Sequence, residues 1–401
     1  MHIRVDASSI WPGHSAGVEA FAFGLIGGLA DGVADRTHVI IARGTGTEWR
    51  KTVPHDNVVW SEVALPLGDS SGIGRRLRRV LPGSLRSSRL IRRTVTGLRS
   101  HANPLVADDP TVTLYPFHRV PARARRSVVT LHDLRSFQGE FRSRSDMDVV
   151  RANVARASAV VVSWPHPFQQ VLDTFPEARA KTALIPLPAF HGLRSRRSAE
   201  RDPGLLLYPS STAPHKNHLA LLDAMGMLPE FRLSCPGPLA EPQATVLSAR
   251  VRKDDLGHRV SFPGFVAAAE LEQLYSLASA VVIPSRWEAA SGAMFEAFSW
   301  GIPVACADVA PLRAQVEFSR GEASFFDPAS PRSIVDAVRR LFAEWERYAA
   351  ASARAGNRLA NRTWADTARD YAQVFAWVSD GCQGPIPQSS FAIQASCGSA
   401  T

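Results

Sequence analysis

The chain has 401 residues, 45% of them hydrophobic and 21% charged, which excludes a disordered or fibrous protein and is enough for two ordinary domains. No apolar run approaches the roughly 18 residues that cross a bilayer, and the start, Met1-His-Ile-Arg-Val, lacks the basic and apolar regions of a secretory signal, so a cytoplasmic protein is expected. The net charge of +9 is carried almost entirely by arginine, with four lysines (Lys51, Lys181, Lys216 and Lys253), and no aromatic residues interleave the arginine-rich stretch as a nucleic-acid binder would require.

In chain order, short apolar runs alternate with amphipathic stretches, the pattern of a parallel α/β protein. The first series of strands is predicted at His2–Ala7, His38–Arg43, Val58–Val63, Thr111–Pro116, Ser127–Asp133, Ala159–Trp164 and Thr182–Leu187. Between the first two, Val18, Phe21, Leu25 and Leu29 line one face of a helix over Gly17–Ala30. The segment Arg75–Arg99 holds nine arginines and no acid, interleaved with leucine, isoleucine and valine. It reads either as two short helices lying on an anionic membrane surface or as a solvated basic face whose apolar side packs on its own domain.

Arg194–Pro203 is charged, without apolar periodicity, and reads as a linker. A second series of strands follows at Leu205–Ser210, Phe231–Cys235, Val260–Pro263, Ala280–Pro284, Pro303–Ala307 and Ala323–Phe326. Helices are predicted between them at His218–Leu228 and Ala267–Ser279, with a long one from Ser330 to Asn361. The boundaries expected are 1–192 and 204–362 for two Rossmann-like domains, 363–380 for a C-terminal helix and 381–401 for a disordered tail. Ligands of doubly wound sheets bind at the carboxyl ends of strands, where strand order reverses. Cys235, Cys306, Cys382 and Cys397 have no metal-type spacing and read as buried or idle thiols.

Two segments carry most of the chemistry. In Pro284-Ser-Arg-Trp-Glu-Ala-Ala-Ser-Gly-Ala-Met-Phe-Glu, an apolar strand leads through a small-residue loop into a helix. That geometry offers backbone N–H groups to a phosphate, and Gly292 lets the backbone approach closely. Glu288 and Glu296 suit vicinal hydroxyls of a sugar or ribose, or else serve as a helix cap and a first-turn acid. In Tyr208-Pro-Ser-Ser-Thr-Ala-Pro-His-Lys-Asn-His, Lys216 stands at a strand-to-helix turn where an ammonium helps neutralise a diphosphate; a solvated loop lysine is the alternative. In the first half, Val128-Val-Thr-Leu-His-Asp-Leu places His132 and Asp133 at a strand's carboxyl end, and Ser15-Ala-Gly-Val-Glu follows strand one.

Pro-Ser-x-x-Glu, seven residues, then Glu-Ala and Gly-x-Pro-Val resembles the signature of the group-one family of retaining glycosyltransferases. The resemblance covers about Met1 to Phe375 and implies the GT-B fold, two facing Rossmann-like domains with a cleft between them. It implies that Glu288 contacts the donor sugar, Glu296 the nucleotide ribose, and the loop Ser291, Gly292 and Ala293 the diphosphate. It also puts Gly17 in a glycine loop and His132, with Asp133, beside the reaction centre. The Pro-His-Lys-Asn-His string is similar to the mannosyltransferase-like branch, which implies a GDP-mannose donor ahead of UDP sugars. The partners implied are a nucleotide diphosphate sugar and an acceptor hydroxyl, lipid-linked if Arg75–Arg99 meets a membrane; no metal or cofactor enters the scheme. The chain departs from the family pattern in two places. The loop glycine is displaced by one position, and Ser211 stands where many relatives carry an arginine, with Arg286 as a stand-in. Those departures leave a non-catalytic nucleotide-sugar binder as an alternative.

Overall fold

The computed structural model describes residues 2–11, 16–63, 111–116, 120–121, 124–188 and 201–392. The chain divides into two units, one comprising Met1–Ser163, Phe168–Leu187 and Trp364–Ala392, the other Trp164–Pro167 and Pro188 onward to Thr363. The arginine-rich segment Arg75–Arg99, most of the predicted linker and Cys397 lie outside the described residues.

The first unit is built on β1 (His2–Asp6), β2 (Arg36–Ala42), β3 (Val58–Val63), β4 (Val112–Tyr115), β5 (Ser127–Leu131), β6 (Ala159–Val162) and β7 (Thr182–Leu184). They form a parallel sheet in the order β3-β2-β1-β4-β5-β6-β7. The inner strands β4, β5 and β6 are buried along their whole length, which is why they read as continuous apolar runs. Strand order reverses between β1 and β4.

Helix Trp364–Ser379 belongs to this unit and packs tightly on helix Ala16–Ala30. A Cβ at Gly24 would lie 2.0 Å from the Trp364 ring, and one at Gly28 would lie 2.4 Å from the Trp364 carbonyl oxygen. Only glycine admits the two helices this closely. Within the same unit the Tyr371 hydroxyl meets Thr130 Oγ1 at 2.9 Å, fixing the C-terminal helix to β5.

The second unit contains β8 (Leu205–Leu207), β9 (Arg232–Pro236), β10 (Val260–Gly264), β11 (Ala280–Ile283), β12 (Val304–Ala307) and β13 (Ser324–Phe326). These are also parallel, in the order β10-β9-β8-β11-β12-β13, so strand order reverses between β8 and β11.

Two expectations need correction. The single helix predicted over Ser330–Asn361 is two helices, Pro331–Ala343 and Trp345–Ala360, interrupted at Glu344. Residues 381–392, expected as part of a disordered tail, pack on the edge of the first sheet. Leu184 N–H donates to Gln388 Oε1 (2.9 Å) and Gln388 Nε2 donates to the Thr182 carbonyl (3.1 Å). The polar composition that suggested disorder instead pairs the exposed backbone of an edge strand.

Candidate functional site

Lys216 and Glu288 are brought together across the strand-order reversal of the second sheet. Lys216 follows β8, Glu288 follows β11, and Lys216 Nζ donates to Glu288 Oε1 at 2.6 Å. The Glu288 side chain is only 7% exposed and that of Lys216 20%. Ser285 Oγ donates to the same carboxylate oxygen at 2.7 Å. Since Ser285 has one hydroxyl hydrogen, in its 2.7 Å contact with Tyr208 the tyrosine donates, sharing its own hydrogen with the Lys216 carbonyl at 3.2 Å. Burial, reinforced by the charge of Glu288, pushes the Tyr208 phenol well above its ordinary pKa and keeps it protonated. The result is a chain of hydrogen bonds, Tyr208 to Ser285 to Glu288, that fixes the carboxylate in place against Lys216.

The turn carrying Lys216 is fixed by its neighbour. Asn217 adopts a left-handed conformation (φ 60°), and its Nδ2 donates to the carbonyls of Pro284 (3.0 Å) and Pro328 (2.8 Å). Arg286 N–H donates to the His215 carbonyl at 2.9 Å, so the exposed Arg286 is anchored beside the Lys216 turn that lacks an arginine at Ser211. His218, the next residue after Asn217, is buried between the rings of Tyr208 and Phe262. Neither of its ring nitrogens has a hydrogen-bond partner among the described residues, and burial with the nearby Lys216 charge lowers its pKa to about 4.

The loop from Glu288 runs into helix Gly292–Ser299, whose N-cap residue Ser291 makes no side-chain cap. Gln315 holds that residue by both backbone groups: Ser291 N–H donates to Gln315 Oε1 and Gln315 Nε2 donates to the Ser291 carbonyl, each at 2.7 Å. The Ser291 amide is therefore engaged within the protein, and the next N–H groups of the helix start, those of Gly292 and Ala293, have no partner within the helix. A Cβ at Gly292 would meet nothing within 4 Å, so no protein atom requires a glycine there. Glu296 lies one turn in and is partly exposed. Its charge adds to burial in raising the Tyr275 phenol.

In the first unit, His132 follows β5 and its Nε2–H donates to the Pro116 carbonyl at 2.9 Å. A carbonyl only accepts, so a neutral His132 carries its proton on Nε2. Its ring packs edge-on against Phe21 of helix Ala16–Ala30, centroids 4.8 Å apart. Asp133 Oδ1 accepts from Arg135 N–H at 3.0 Å, a turn-capping contact. Gly17 is exposed in the first turn of the helix that presents Phe21.

Sequence reasoning did not single out Tyr208, Ser285, Asn217 or Gln315. Tyr208 and Ser285 sit within the two quoted motifs, so their strand-end positions were a usable signal. Cys235 and Cys306 are buried with thiols raised by burial, and Cys382 is half-buried; all three are free. No described helix is long and apolar enough to cross a membrane.

Residues 193–358 match the family model "Glycosyl transferases group 1". O-antigen chain mannosyltransferase B of Escherichia coli is 27% identical over 218 residues, which are 49% of this chain and 57% of that relative. The match thus spans little more than half of the relative's length. Among solved structures, Anabaena HepE in complex with UDP and glucose superposes with a TM-score of 0.66 at 16% identity, covering 94% of this chain and 99% of that one. Sucrose-phosphate synthase from Thermosynechococcus elongatus gives 0.69 at 18%, covering 95% and 100%. The fold is GT-B, and the two units are its two Rossmann-like halves.

Proposed function

We propose that this chain, whose residues 193–358 match the group 1 glycosyltransferase model, is such an enzyme and moves a hexose from a nucleotide diphosphate sugar to an acceptor hydroxyl with retention at the anomeric carbon. The observation that carries the reading is the buried Lys216–Glu288 pair at the reversal of the second sheet, on the loop that leads into the helix start at Gly292 and Ala293. As the glycosidic bond breaks, the diphosphate gains charge; Lys216 and the helix start stabilise it, which is where a transferase needs its fixed positive potential. Glu288, freed from Lys216 by the diphosphate, accepts from the donor sugar's hydroxyls, and Glu296 accepts from the ribose diol. In the first unit His132, with Asp133 and the Gly17 turn, serves the reaction centre. Retention follows from same-face attack in which the leaving diphosphate takes the acceptor proton.

Mannose from GDP-mannose is the favoured donor, supported by the Pro-His-Lys-Asn-His string and by the E. coli mannosyltransferase likeness. A UDP sugar is the second reading, favoured by the UDP and glucose named for HepE. A cytoplasmic enzyme working on a lipid-linked acceptor at the membrane face fits Arg75–Arg99. The test incubates the protein with GDP-mannose, UDP-glucose and ADP-glucose and follows nucleoside diphosphate release and the anomer produced. Release of GDP with retained configuration is expected. Release of UDP alone selects the second reading, and tight nucleotide binding without turnover of any donor makes the chain a non-catalytic binder.

A further inference from the structure

The first sheet reverses between β1 and β4, and the residues at that reversal form a polar group that the donor chemistry does not use. The β1–β4 register pairs Arg4 with Thr113 and Val5 with Leu114, so the next step sets Asp6 beside Tyr115 on one face at the carboxyl edge. Asp6 Oδ1 accepts from both Ser8 Oγ (2.6 Å) and Ser8 N–H (3.1 Å). Among the described residues Oδ2 accepts no hydrogen bond. Tyr115 is 2% exposed, and its hydroxyl is buried without a hydrogen-bond partner among the described residues. The next residue, Pro116, gives its carbonyl to His132, which joins this group to the candidate reaction-centre histidine.

A buried phenol hydroxyl left unmatched costs about 1–3 kcal/mol, so its persistence beside a carboxylate calls for a partner that arrives from outside the chain. An ionised carboxylate accepts and never donates, so its ligand must bring O–H or N–H groups. A phosphate is repelled there, and Arg4, close enough to act on Asp6, opposes a free cation. A neutral polyol satisfies both groups, accepting from Tyr115 and donating to Asp6. Burial holds the Asp6 carboxyl above its ordinary pKa, as expected of a carboxylate short of donors.

We propose that Asp6 and Tyr115 form a hydroxyl-binding subsite for the acceptor, and that the acceptor presents a neutral, carbohydrate-type polyol to the first unit. The assignment rests on the transferase reading, because the diphosphate features stand at the reversal of the second sheet and leave this one for the other substrate. Asp6 and Tyr115 are specificity residues in this scheme.

Saturation-transfer difference NMR on the full chain, with methyl α-D-mannopyranoside and methyl α-D-glucopyranoside as probes, tests it. Asp6→Asn keeps an Oδ1 acceptor for Ser8, and Tyr115→Phe keeps the ring, so both variants retain the local fold, which the melting temperature monitors. Transfer to the ring protons of at least one glycoside is expected in the wild type, reduced at least fivefold in Asp6→Asn and at least twofold in Tyr115→Phe. Stabilisation by GDP or UDP should be equal in all three proteins. Absence of transfer to both glycosides in the wild type overturns the subsite, as does equal transfer in the variants. Glycoside binding without any nucleotide stabilisation in the wild type would overturn the transferase reading and leave the polyol subsite standing.

Discussion

Lys216 Nζ and Glu288 Oε1 are 2.6 Å apart, so the positive charge assigned to a diphosphate and the carboxylate assigned to a sugar neutralise each other across the second sheet's reversal. On the proposed reading, donor binding redistributes this pair. Lys216→Ala removes the ammonium and strands a carboxylate that is largely buried. Nucleoside diphosphate affinity should fall about 10- to 100-fold, matching the ~1.5–3 kcal/mol of a charge-assisted contact. Glu288→Gln releases Lys216, so GDP or UDP should bind as tightly or more tightly while sugar transfer falls. Calorimetric titration reads both. Weaker nucleotide binding in Glu288→Gln would show that the pair holds Lys216 in place and does not compete with the ligand.

The Gln315 clamp on Ser291 predicts a loss of stability and of donor affinity together. Gln315→Ala leaves the buried Ser291 N–H unmatched and its carbonyl with only the 3.4 Å bond from Phe295 N–H, at a cost of about 1–3 kcal/mol. The start of helix Gly292–Ser299 then loosens, and the donor KM should rise more than kcat falls. Denaturant unfolding and steady-state kinetics check the two halves. If KM is unchanged while stability drops, the clamp has no part in the donor site.

How much of this was legible in the sequence depended on the range of each contact. Strands such as Ala159–Val162 and Ala280–Ile283 are wholly buried, so an apolar run alone marks them. Lys216 and Glu288 announced themselves by strand-to-helix turns, a local signal, although they lie 72 residues apart in the chain. Gln388 bonding to the edge strand 204 residues away left no local trace, because nothing near it distinguishes a polar tail from an edge cover. Asn217 reaches the Pro328 carbonyl 111 residues on, and its left-handed turn has no pattern in the periodicity. The engagement of the Ser291 amide by Gln315 was hidden for the same reason.

His218 makes the stability of the chain pH-dependent in a defined direction. Its folded pKa is near 4 against an ordinary 6.5, so between those values the unfolded chain holds the extra proton. Stability contributed by the neutral ring is complete above about pH 6.5 and is lost as pH falls toward 4. The full loss is about 3 kcal/mol at ~1.4 kcal/mol per unit. His218→Phe keeps an aromatic ring between Tyr208 and Phe262 and removes two unmatched nitrogens. It should be neutral or stabilising at pH 7.5, and its advantage over the wild type should widen by roughly 3 kcal/mol by pH 4. Urea melts of both proteins across that range decide it; parallel curves would mean that His218 finds a partner in solution.

Two of the contacts that hold His132 differ in kind, and two substitutions separate them. The ring lies edge-on to Phe21, a packing contact, while Nε2–H donates to the Pro116 carbonyl and fixes the tautomer. His132→Phe preserves the ring and loses both nitrogens; His132→Ala loses everything. If His132 serves the reaction centre, both variants should lose at least tenfold in kcat, since neither offers a nitrogen to the reacting groups. The melting temperature should fall mainly in His132→Ala, where the ring over Phe21 is gone. Nucleoside diphosphate affinity should stay near wild type in both, because the residues proposed to hold the diphosphate lie in the second unit. A His132→Phe enzyme with near-normal turnover and a His132→Ala enzyme that loses activity in proportion to stability would make the residue a packing element. The chemistry would then have to be sought among the remaining groups at the carboxyl edge of the first sheet, Asp133 before others.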